Sequence, residues 1–377
     1  MNIFTKTIWQ KKREGPGAIY LLLLCMIWLS ACKSIANTAG RIISDPEMVI
    51  FYPTYGYLEE DEWVILMRTY VFEYRNVLEE VAESIGTVGR ELTEEETERF
   101  HYRIKDFVVD SESREIPAFR FVDDPLQEVF QIVNSDGDPL RTDLNGLISA
   151  EFRLPVATAE RITQGSAAGG GWLQIRSANE DHEGGGWIRL LKPEGVSVIS
   201  DIDDTIKITD IPAGRSVVLE NTFFKPFQAV PGMAERYQEY GPEVAFHYVS
   251  GSPWQLYRPL SEFLWSDEVN FPLGSFHMKT VTKNLLSLST WSSLGDLLFN
   301  EDFTYEQKKE QIEGILKTFP DRKFILYGDS GESDPEIFSE LNQMYGDQIV
   351  KMVIRDVRGV QQEDPGRLEG MEVIPVN

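Results

Sequence analysis

The sequence predicts a two-part chain, in which a β-rich domain precedes an α/β domain built on a parallel sheet. Runs rich in aromatic and β-branched residues alternate with turn residues over positions 46–190. From residue 195, short apolar runs alternate with helical patterns, which is typical of a parallel sheet with helices on both faces. A length of 377 residues suits two hydrophobic cores.

The first 32 residues have the pattern of a targeting segment. Four basic residues precede the apolar stretch 19–31, which has signal-peptide length and is short for a membrane-spanning helix. The run Leu29-Ser30-Ala31-Cys32 resembles a bacterial lipobox, in which the cysteine becomes the acylated N-terminus. An uncleaved anchor is the alternative. We therefore expect residues 33–45 to be a tether and the protein to be a lipoprotein of a bacterial cell envelope, facing the periplasm or the surface.

The charge balance argues against a nucleic-acid partner. The chain has 36 basic and 61 acidic residues and a net charge of -25, whereas nucleic-acid binding depends on Lys and Arg that neutralise phosphates. A polybasic membrane contact is equally unfavourable, so membrane attachment would depend on lipid at Cys32. Because the only cysteines are Cys25 and Cys32, the mature body contains no disulfide and no thiolate metal site.

The β-rich domain is predicted to be a sandwich with a helical insertion. Its predicted strands are residues 48–57, 63–74, 130–133, 148–154, 172–175 and 187–190. A helical stretch runs from about residue 76 to 108. Glycine triplets stand at 169–171 and 184–186, but neither has the Gly-Lys-Ser/Thr ending of a phosphate-binding loop. Hairpin loops are therefore the better interpretation of both triplets.

The α/β domain is predicted from five apolar strands and the helices between them. The strands are residues 196–200, 244–250, 324–328, 350–354 and 372–374, and helices follow from Gly232, Pro253, Tyr305 and Pro335. Open parallel sheets bind ligands at the carboxyl ends of their strands. Polar residues that follow three of these strands are therefore the candidate site.

Three carboxylates follow the first of these strands, in the run Asp201-Ile202-Asp203-Asp204-Thr205. Carboxylates this close repel one another, and a divalent cation would relieve the repulsion. A calcium loop does not fit, since position 205 is Thr and position 206 is Ile, where the pattern requires glycine. A helix cap needs one Asp rather than several. The run predicts a catalytic cation site.

The second strand ends in Ser250-Gly251-Ser252-Pro253. A hydroxyl followed by glycine offers neutral donors to a phosphate oxygen and lets the backbone approach closely. Ser252 and Pro253 could equally be the N-cap and first residue of the next helix.

The third strand runs into Asp329 and, five positions later, Asp334, with Gly331 between them. These carboxylates suit an oxygen-only magnesium site, although Asp334 is also a good helix cap before Pro335. Lys308, near the start of an amphipathic helix, could place a fixed positive charge on a phosphate dianion. A surface lysine is the alternative, and Lys309 could take the role instead.

In this order the four motifs resemble those of the haloacid-dehalogenase-like phosphatase superfamily. More narrowly, four segments are similar to the phosphatidate phosphatases of the actin-patch-protein type: residues 199–207, 248–256, 271–279 and 328–336. The close match covers about residues 196–355. The resemblance implies a Rossmann-like parallel sheet for the α/β domain.

The resemblance also implies roles for the site residues. Asp201 would be the nucleophile that becomes an aspartyl phosphate, Asp203 the general acid and base, and Lys308 the catalytic cation. The implied substrate-binding residues are Thr205, Ser250, Gly251, His277 and Lys279. The implied magnesium ligands are Asp201, Asp203 through its carbonyl, Asp329 and Asp334.

The implied function is magnesium-dependent hydrolysis of phosphatidate to diacylglycerol and phosphate. Superfamily members restrict their substrates with cap insertions, and here the gaps that could hold a cap, 207–230 and 254–305, are short and moderate. An open site favours a large or membrane-bound ester. Two alternatives are a periplasmic phosphatase of phosphoprotein or another envelope phosphate ester, and a non-catalytic envelope lipoprotein that binds a partner.

Overall fold

A computed structural model describes residues 46–74, 91–165, 171–281 and 301–376, except for the side chains of 165 and 301–304. From Glu47 onward these residues belong to one compact unit. The predicted signal segment with Cys32, the tether, residues 76–90 of the predicted helical stretch and most of the first glycine triplet lie outside the described residues. In the described part, no helix is both long and apolar enough to cross a membrane.

The first half of the described chain is β-rich, as predicted. Its strands are β1 (Glu47–Glu59), β2 (Glu62–Glu73), β3 (Asp110–Ser111), β4 (Ala118–Phe121), β5 (Phe130–Gln131), β6 (Leu147–Pro155), β7 (Trp172–Ser177) and β8 (His182–Leu191). They form one connected sheet in the order β3-β2-β1-β8-β7-β4-β5, with β6 also paired to β2. This differs from the expected sandwich of two sheets. The reason is β1, which pairs antiparallel with β2 and parallel with β8 and so joins both groups of strands.

Two helices accompany this sheet, α1 (Glu94–Ile104) and α2 (Val156–Gly165). Helix α1 starts at a capping box. The Glu96 backbone N–H donates to Thr93 Oγ1 at 3.2 Å, and the Glu96 carboxylate accepts the Thr93 backbone N–H at 2.9 Å, so two end groups of the helix are satisfied. Phe100 and Ile104 then pack into the core beneath the parallel sheet.

From residue 195 the chain forms a six-stranded sheet with parallel pairing throughout. The strands are β9 (Gly195–Ser200), β10 (Ala245–Pro253), β11 (Ser275–Lys279), β12 (Arg322–Asp329), β13 (Ile349–Asp356) and β14 (Glu372–Pro375). Their order is β11-β10-β9-β12-β13-β14. The mixed α/β character is confirmed. The five predicted strands are present, and β11 is an additional edge strand.

Helices cover both faces of this sheet. They are α3 (Arg215–Phe223), α4 (Met233–Gln238), α5 (Tyr257–Leu264), α6 (Glu301–Thr318), α7 (Asp334–Tyr345) and α8 (Val360–Glu363). Neighbouring residues of β9 point to opposite faces, as strand geometry requires. Val198 joins the core with α3, α4 and α5, and Ile199 joins the core with α6 and α7.

The strand order determines where the site forms. Strand β9 lies between β10 and β12, with Ser200 level with Tyr248 on one side and Tyr327 on the other. The residues that follow β9, β10 and β12 therefore meet at the centre of the carboxyl edge. This is where open parallel sheets bind ligands.

Candidate active site

Asp201 lies directly after β9 at the centre of this edge and is 2% exposed. Its backbone N–H donates to the Tyr327 carbonyl at 2.9 Å, which continues the pairing with β12. Lys308 Nζ donates to Asp201 Oδ1 at 2.9 Å, and Thr205 Oγ1 donates to Oδ2 at 2.9 Å. Both carboxylate oxygens are therefore held in a fixed orientation.

Lys308 reaches this edge from α6 and is surrounded by acids. Besides Asp201, its ammonium group contacts the carboxylates of Glu332, at 3.4 Å, and Asp334. Burial lowers the pKa of Lys308, but the attraction of these carboxylates outweighs it and raises the pKa well above the usual value. Lys309, the alternative candidate, pairs instead with Glu340 on the outside of the helix.

Strand β12 ends at Asp329, which is fully buried. Asp329 Oδ1 accepts the backbone N–H groups of Gly331 and Glu332. Its other oxygen, Oδ2, is buried and has no hydrogen-bond partner in the described structure. A Cβ at position 331 would lie 2.7 Å from Asp329 Oδ1, so this tight turn requires glycine.

Asp334 supports this loop from the start of α7. Its Oδ2 accepts the Asp329 backbone N–H at 3.1 Å, and its Oδ1 makes the ionic contact with Lys308 without hydrogen-bond geometry. A Cβ at Gly328 would lie 2.4 Å from Asp334 Oδ2. Glycine at 328 therefore lets the Asp334 carboxylate lie against the end of β12.

Three carboxylates come together in a group that could hold a cation. Oxygens of Asp201, Asp329 and Glu332 all lie within 4.8 Å of one another. Burial, reinforced by the neighbouring acids, raises the pKa values of Asp201 and Asp329 well above the usual range. A hard divalent cation with oxygen ligands would offset both effects. The free Asp329 Oδ2 is an available ligand atom, so these residues fit magnesium.

The structure places Asp203 apart from this group. Lys207 Nζ lies 2.7 Å from Asp203 Oδ1, and Thr209 donates to the same oxygen at 2.6 Å. Ser250 and Ser252 donate to Oδ2 at 3.3 and 3.0 Å. Burial raises the pKa of Asp203, but Lys207 and the hydrogen bonds outweigh it, so the pKa lies below its usual value.

Asp204, the third acid of the run, organises the backbone. It has a φ of 56°, in the left-handed region that Asp tolerates better than most residues. Its side chain accepts backbone N–H groups of Thr209, Asp210 and Ile211 at 2.8, 2.7 and 2.6 Å. Asp204 thereby shapes the loop that delivers Thr209 to Asp203.

A cavity of about 250 Å³ opens beside these groups. Its polar wall includes Asp203, Gly251, Ser252, Lys308 and Glu332, and its apolar wall is formed by Ile211, Val218 and Ile337. Asp201 lies beneath this lining, in contact with Lys308.

Two arginines complete the rim of the cavity. Arg367 donates to the carbonyls of Ser330 and Glu332 at 2.8 and 2.6 Å, so it braces the loop. Arg358 is exposed.

The structure distributes the predicted substrate-binding residues over different places. Thr205 orients Asp201, Ser250 bonds to Asp203, and Gly251 lines the cavity. Lys279 is buried at the end of β11, where the attraction of Glu332 acts on it. His277 is not brought to this group. Its Nε2 is 2.9 Å from Ser275 Oγ, and its ring lies against Tyr55 of β1.

The sequence did not identify Lys207, Thr209, Ser252 or Glu332 as site residues. Ser252 was considered as a helix cap, although the structure shows its hydroxyl on Asp203. Glu332 lies in an acid-rich loop, which was the one signal for its part in a cation site.

Comparison with known proteins shows what the α/β half is similar to. Residues 196–356 match the family model described as "Phosphatidate phosphatase APP1, catalytic domain". The matched segment begins with β9 and contains Asp201, Asp203, Lys308, Asp329 and Glu332. The expected similarity to phosphatidate phosphatases is confirmed for this segment, which is less than half of the chain.

Two individual relatives match a part of this chain of about the same length. Phosphatidate phosphatase APP1 of Saccharomyces cerevisiae is 34% identical over 169 residues, which are 44% of this chain and 26% of the yeast protein. An uncharacterized protein of Schizosaccharomyces pombe is 29% identical over 175 residues, 45% of this chain and 26% of that protein. The chain thus spans about a quarter of the length of these curated relatives.

Among solved structures, a β-glucuronidase from Ruminococcus gnavus aligns at 10% identity over 84% of this chain and 44% of that chain. The TM-score is 0.19, which is too low to indicate a shared fold.

Proposed function

We propose that residues 196–356 form a magnesium-dependent phosphatase that hydrolyses phosphatidate to diacylglycerol and phosphate. The observation that carries the proposal is the buried group in which Lys308 and Thr205 hold Asp201 beside Asp329 and Glu332. This group lies inside the segment similar to a phosphatidate phosphatase catalytic domain. The choice of phosphatidate comes from the name of the yeast relative.

Asp201 is the proposed nucleophile. Its carboxylate attacks phosphorus, the alkoxide leaves, and water then hydrolyses the aspartyl phosphate, so that one difficult displacement becomes two easier ones. Lys308 lines the cavity and contacts Asp201, which is where positive charge would stabilise the phosphate oxygens during transfer. Thr205 keeps the attacking carboxylate from rotating.

Asp203 is the proposed general acid and base. It lines the cavity, and its carboxylate is held by Lys207, Ser250 and Ser252. From there it would take a proton from the hydrolytic water, and this proton would be the one that it gives to the departing alkoxide of the next turnover.

Asp201, Asp329 and Glu332 would hold the magnesium ion. When bound, magnesium supplies positive charge that lets an anionic carboxylate approach an anionic phosphate. The donor set supports this assignment, since three carboxylates contact the ammonium of Lys308 and Asp329 Oδ2 has no hydrogen-bond partner in the described structure. Asp334, which contacts Lys308 and accepts the Asp329 backbone N–H, is a further predicted ligand, and so is the Asp203 backbone carbonyl.

The cavity walls support an ester with an apolar alcohol part. Ile211, Val218 and Ile337 line the same cavity as the polar groups, so an anionic phosphate and a hydrocarbon-bearing glycerol could each meet a matching surface. The proposed acylation of Cys32 would hold this site at a membrane of a bacterial cell envelope, where such a lipid is found.

The test is an assay of a protein that begins after Cys32. We would compare phosphatidate in mixed micelles, a soluble aryl phosphate and a phosphopeptide, each with magnesium or with EDTA. The Asp201→Asn variant removes the nucleophile, and Asp321→Asn, at an exposed acid after α6, is the matched control. We expect magnesium-dependent turnover, fastest on phosphatidate, that is lost in Asp201→Asn alone.

Each result separates the alternatives. Faster turnover of the phosphopeptide or the aryl phosphate would favour a phosphatase of another envelope ester. Wild-type protein that hydrolyses none of these esters would overturn the catalytic proposal and leave an envelope lipoprotein that binds a partner.

A further inference from the structure

A second cavity, of about 340 Å³, lies between the β-rich sheet and the parallel sheet. Tyr52 of β1 and Arg68 of β2 form one wall, and Trp254, after β10, forms another. Phe276 of β11 and Ile315 of α6 complete the apolar lining. The volume falls in the usual range for small-molecule sites. None of these residues lines the cavity beside Lys308.

Arg68 has an unusual environment for a cation. Its guanidinium group lies 4.8 Å from the Trp254 ring centre and 5.9 Å from that of Tyr52. One nitrogen donates to Ser149 Oγ at 3.3 Å. Its Nε is shielded from solvent and has no hydrogen-bond acceptor within the described part of the chain. Asp143 attracts it electrostatically, and burial lowers the pKa of Arg68.

Arg68 lines the cavity, and its terminal N–H groups are the ones that an anion there could meet, because Nε is closed off from the cavity. Withdrawing a cation from water is unfavourable unless an opposite charge or further hydrogen bonds compensate. A carboxylate is a planar acceptor that matches the guanidinium geometry. Trp254 and Tyr52 pack against each other, with ring centres 4.4 Å apart, and both lie near the Arg68 guanidinium.

Most of the remaining surface of the cavity is apolar, although Glu310, Gln311 and His277 also line it. Trp254, Phe276 and Ile315 present aromatic and aliphatic surface. At Gly314 of α6, which also lines the cavity, an added Cβ would meet nothing within 4 Å. Open space beside apolar side chains accommodates alkyl groups, because their burial removes apolar area from water.

We propose that this cavity binds a single-chain carboxylate, with its acid group on Arg68 and its alkyl chain against Trp254, Phe276 and Ile315. The ligand would bridge the two sheets of the protein. Trp254 comes two residues after Ser252, so an occupied cavity lies next to the chain segment that lines the proposed phosphate site.

The test is calorimetric binding of three eight-carbon probes to the purified protein: octanoate, octanol and octyltrimethylammonium. We expect octanoate to bind at least tenfold more tightly than either of the others, since only octanoate can pair with Arg68. Arg68→Gln should remove this preference and leave octanol binding unchanged. Gly314→Leu should abolish binding of all three, because the new side chain fills the cavity.

Arg153→Gln is the matched control, at an exposed arginine of the same sheet that already pairs with Glu59. It should bind octanoate like the wild type. Circular dichroism would verify that each variant is folded. If Arg68→Gln does not fold, Gly314→Leu still tests the location.

Three results would overturn the proposal. They are octanoate affinity no higher than that of octanol, no octanoate binding by the wild type, and octanoate binding that survives Gly314→Leu.

Discussion

Replacing Lys207 by methionine tests whether a buried ion pair organises the proposed general acid and base. Lys207 is 1% exposed, and its Nζ lies 2.7 Å from Asp203 Oδ1. Methionine keeps an unbranched side chain of similar size but removes the charge. The variant therefore leaves the Asp203 carboxylate buried without its cation, while the packing around position 207 changes little.

The structure sets the expected magnitude. Removing one partner of a buried ion pair lowers stability by about 3–5 kcal/mol, mostly because the other charge stays buried. Asp203 keeps its hydrogen bonds from Thr209, Ser250 and Ser252, so we expect a loss near the lower end, about 3 kcal/mol. In the double variant Lys207→Met/Asp203→Asn the stranded charge is gone, and about 2 kcal/mol should return.

The assay is urea unfolding at pH 7, followed by tryptophan fluorescence and circular dichroism together. The control is Lys309→Met, which breaks the outer pair with Glu340 and should leave the unfolding midpoint nearly unchanged. A Lys207→Met midpoint equal to that of the wild type would refute the reasoning. So would a double variant less stable than Lys207→Met, because a stranded Asp203 charge would then not be the cause.

Three further predictions concern other parts of the molecule. Gly328→Ala places a methyl 2.4 Å from Asp334 Oδ2 and should lower the free energy of unfolding by about 1–3 kcal/mol in thermal unfolding. The control Gly314→Ala, where the methyl meets open space, should cause no loss. Equal losses in the two variants would contradict the steric argument. Burial lowers the pKa of His277 to about 4, below its value of about 6.5 in the unfolded chain. Neutral His277 therefore contributes up to about 3 kcal/mol of stability, which is fully present above pH 6.5 and is lost as the pH falls towards 4. In urea unfolding across this range, His277→Gln should show a shallower pH dependence, and an unchanged slope would exclude His277 as its source. In thermal unfolding, magnesium at one hundred times its dissociation constant should stabilise the wild type by about 2.7 kcal/mol. It should stabilise the Asp329→Asn variant far less. Equal stabilisation of the two proteins would argue against the proposed ligands.

Local sequence patterns were sufficient for much of the fold. The alternation of apolar strands and helices after residue 195 predicted β9, β10, β12, β13 and β14, because burial on both faces of a sheet requires continuous apolar runs. Strand β11 was not predicted, since Ser275–Lys279 is a short run in which serine, histidine and lysine interrupt the apolar pattern.

The arrangement of the β-rich half required long-range information. Strand β1 pairs with β8, more than a hundred residues away in sequence. Nothing in the residues of either strand specifies that partner, because the backbone hydrogen bonds of a ladder are the same for any sequence. A sandwich and a single connected sheet therefore have the same local pattern, and only the observed pairing distinguishes them.

The residue types at the strand ends were already decided by the sequence: acids after β9 and β12, a serine in the last part of β10, and a lysine on the helix between them. The tertiary structure decided which charge meets which. It brought Lys308 to Asp201 across 107 positions. It also grouped the Glu332 carboxylate with those of Asp201 and Asp329, and paired the Asp203 carboxylate with Lys207. The reason is physical, because electrostatic energy depends on distance and burial in space, and neither follows from separation along the chain.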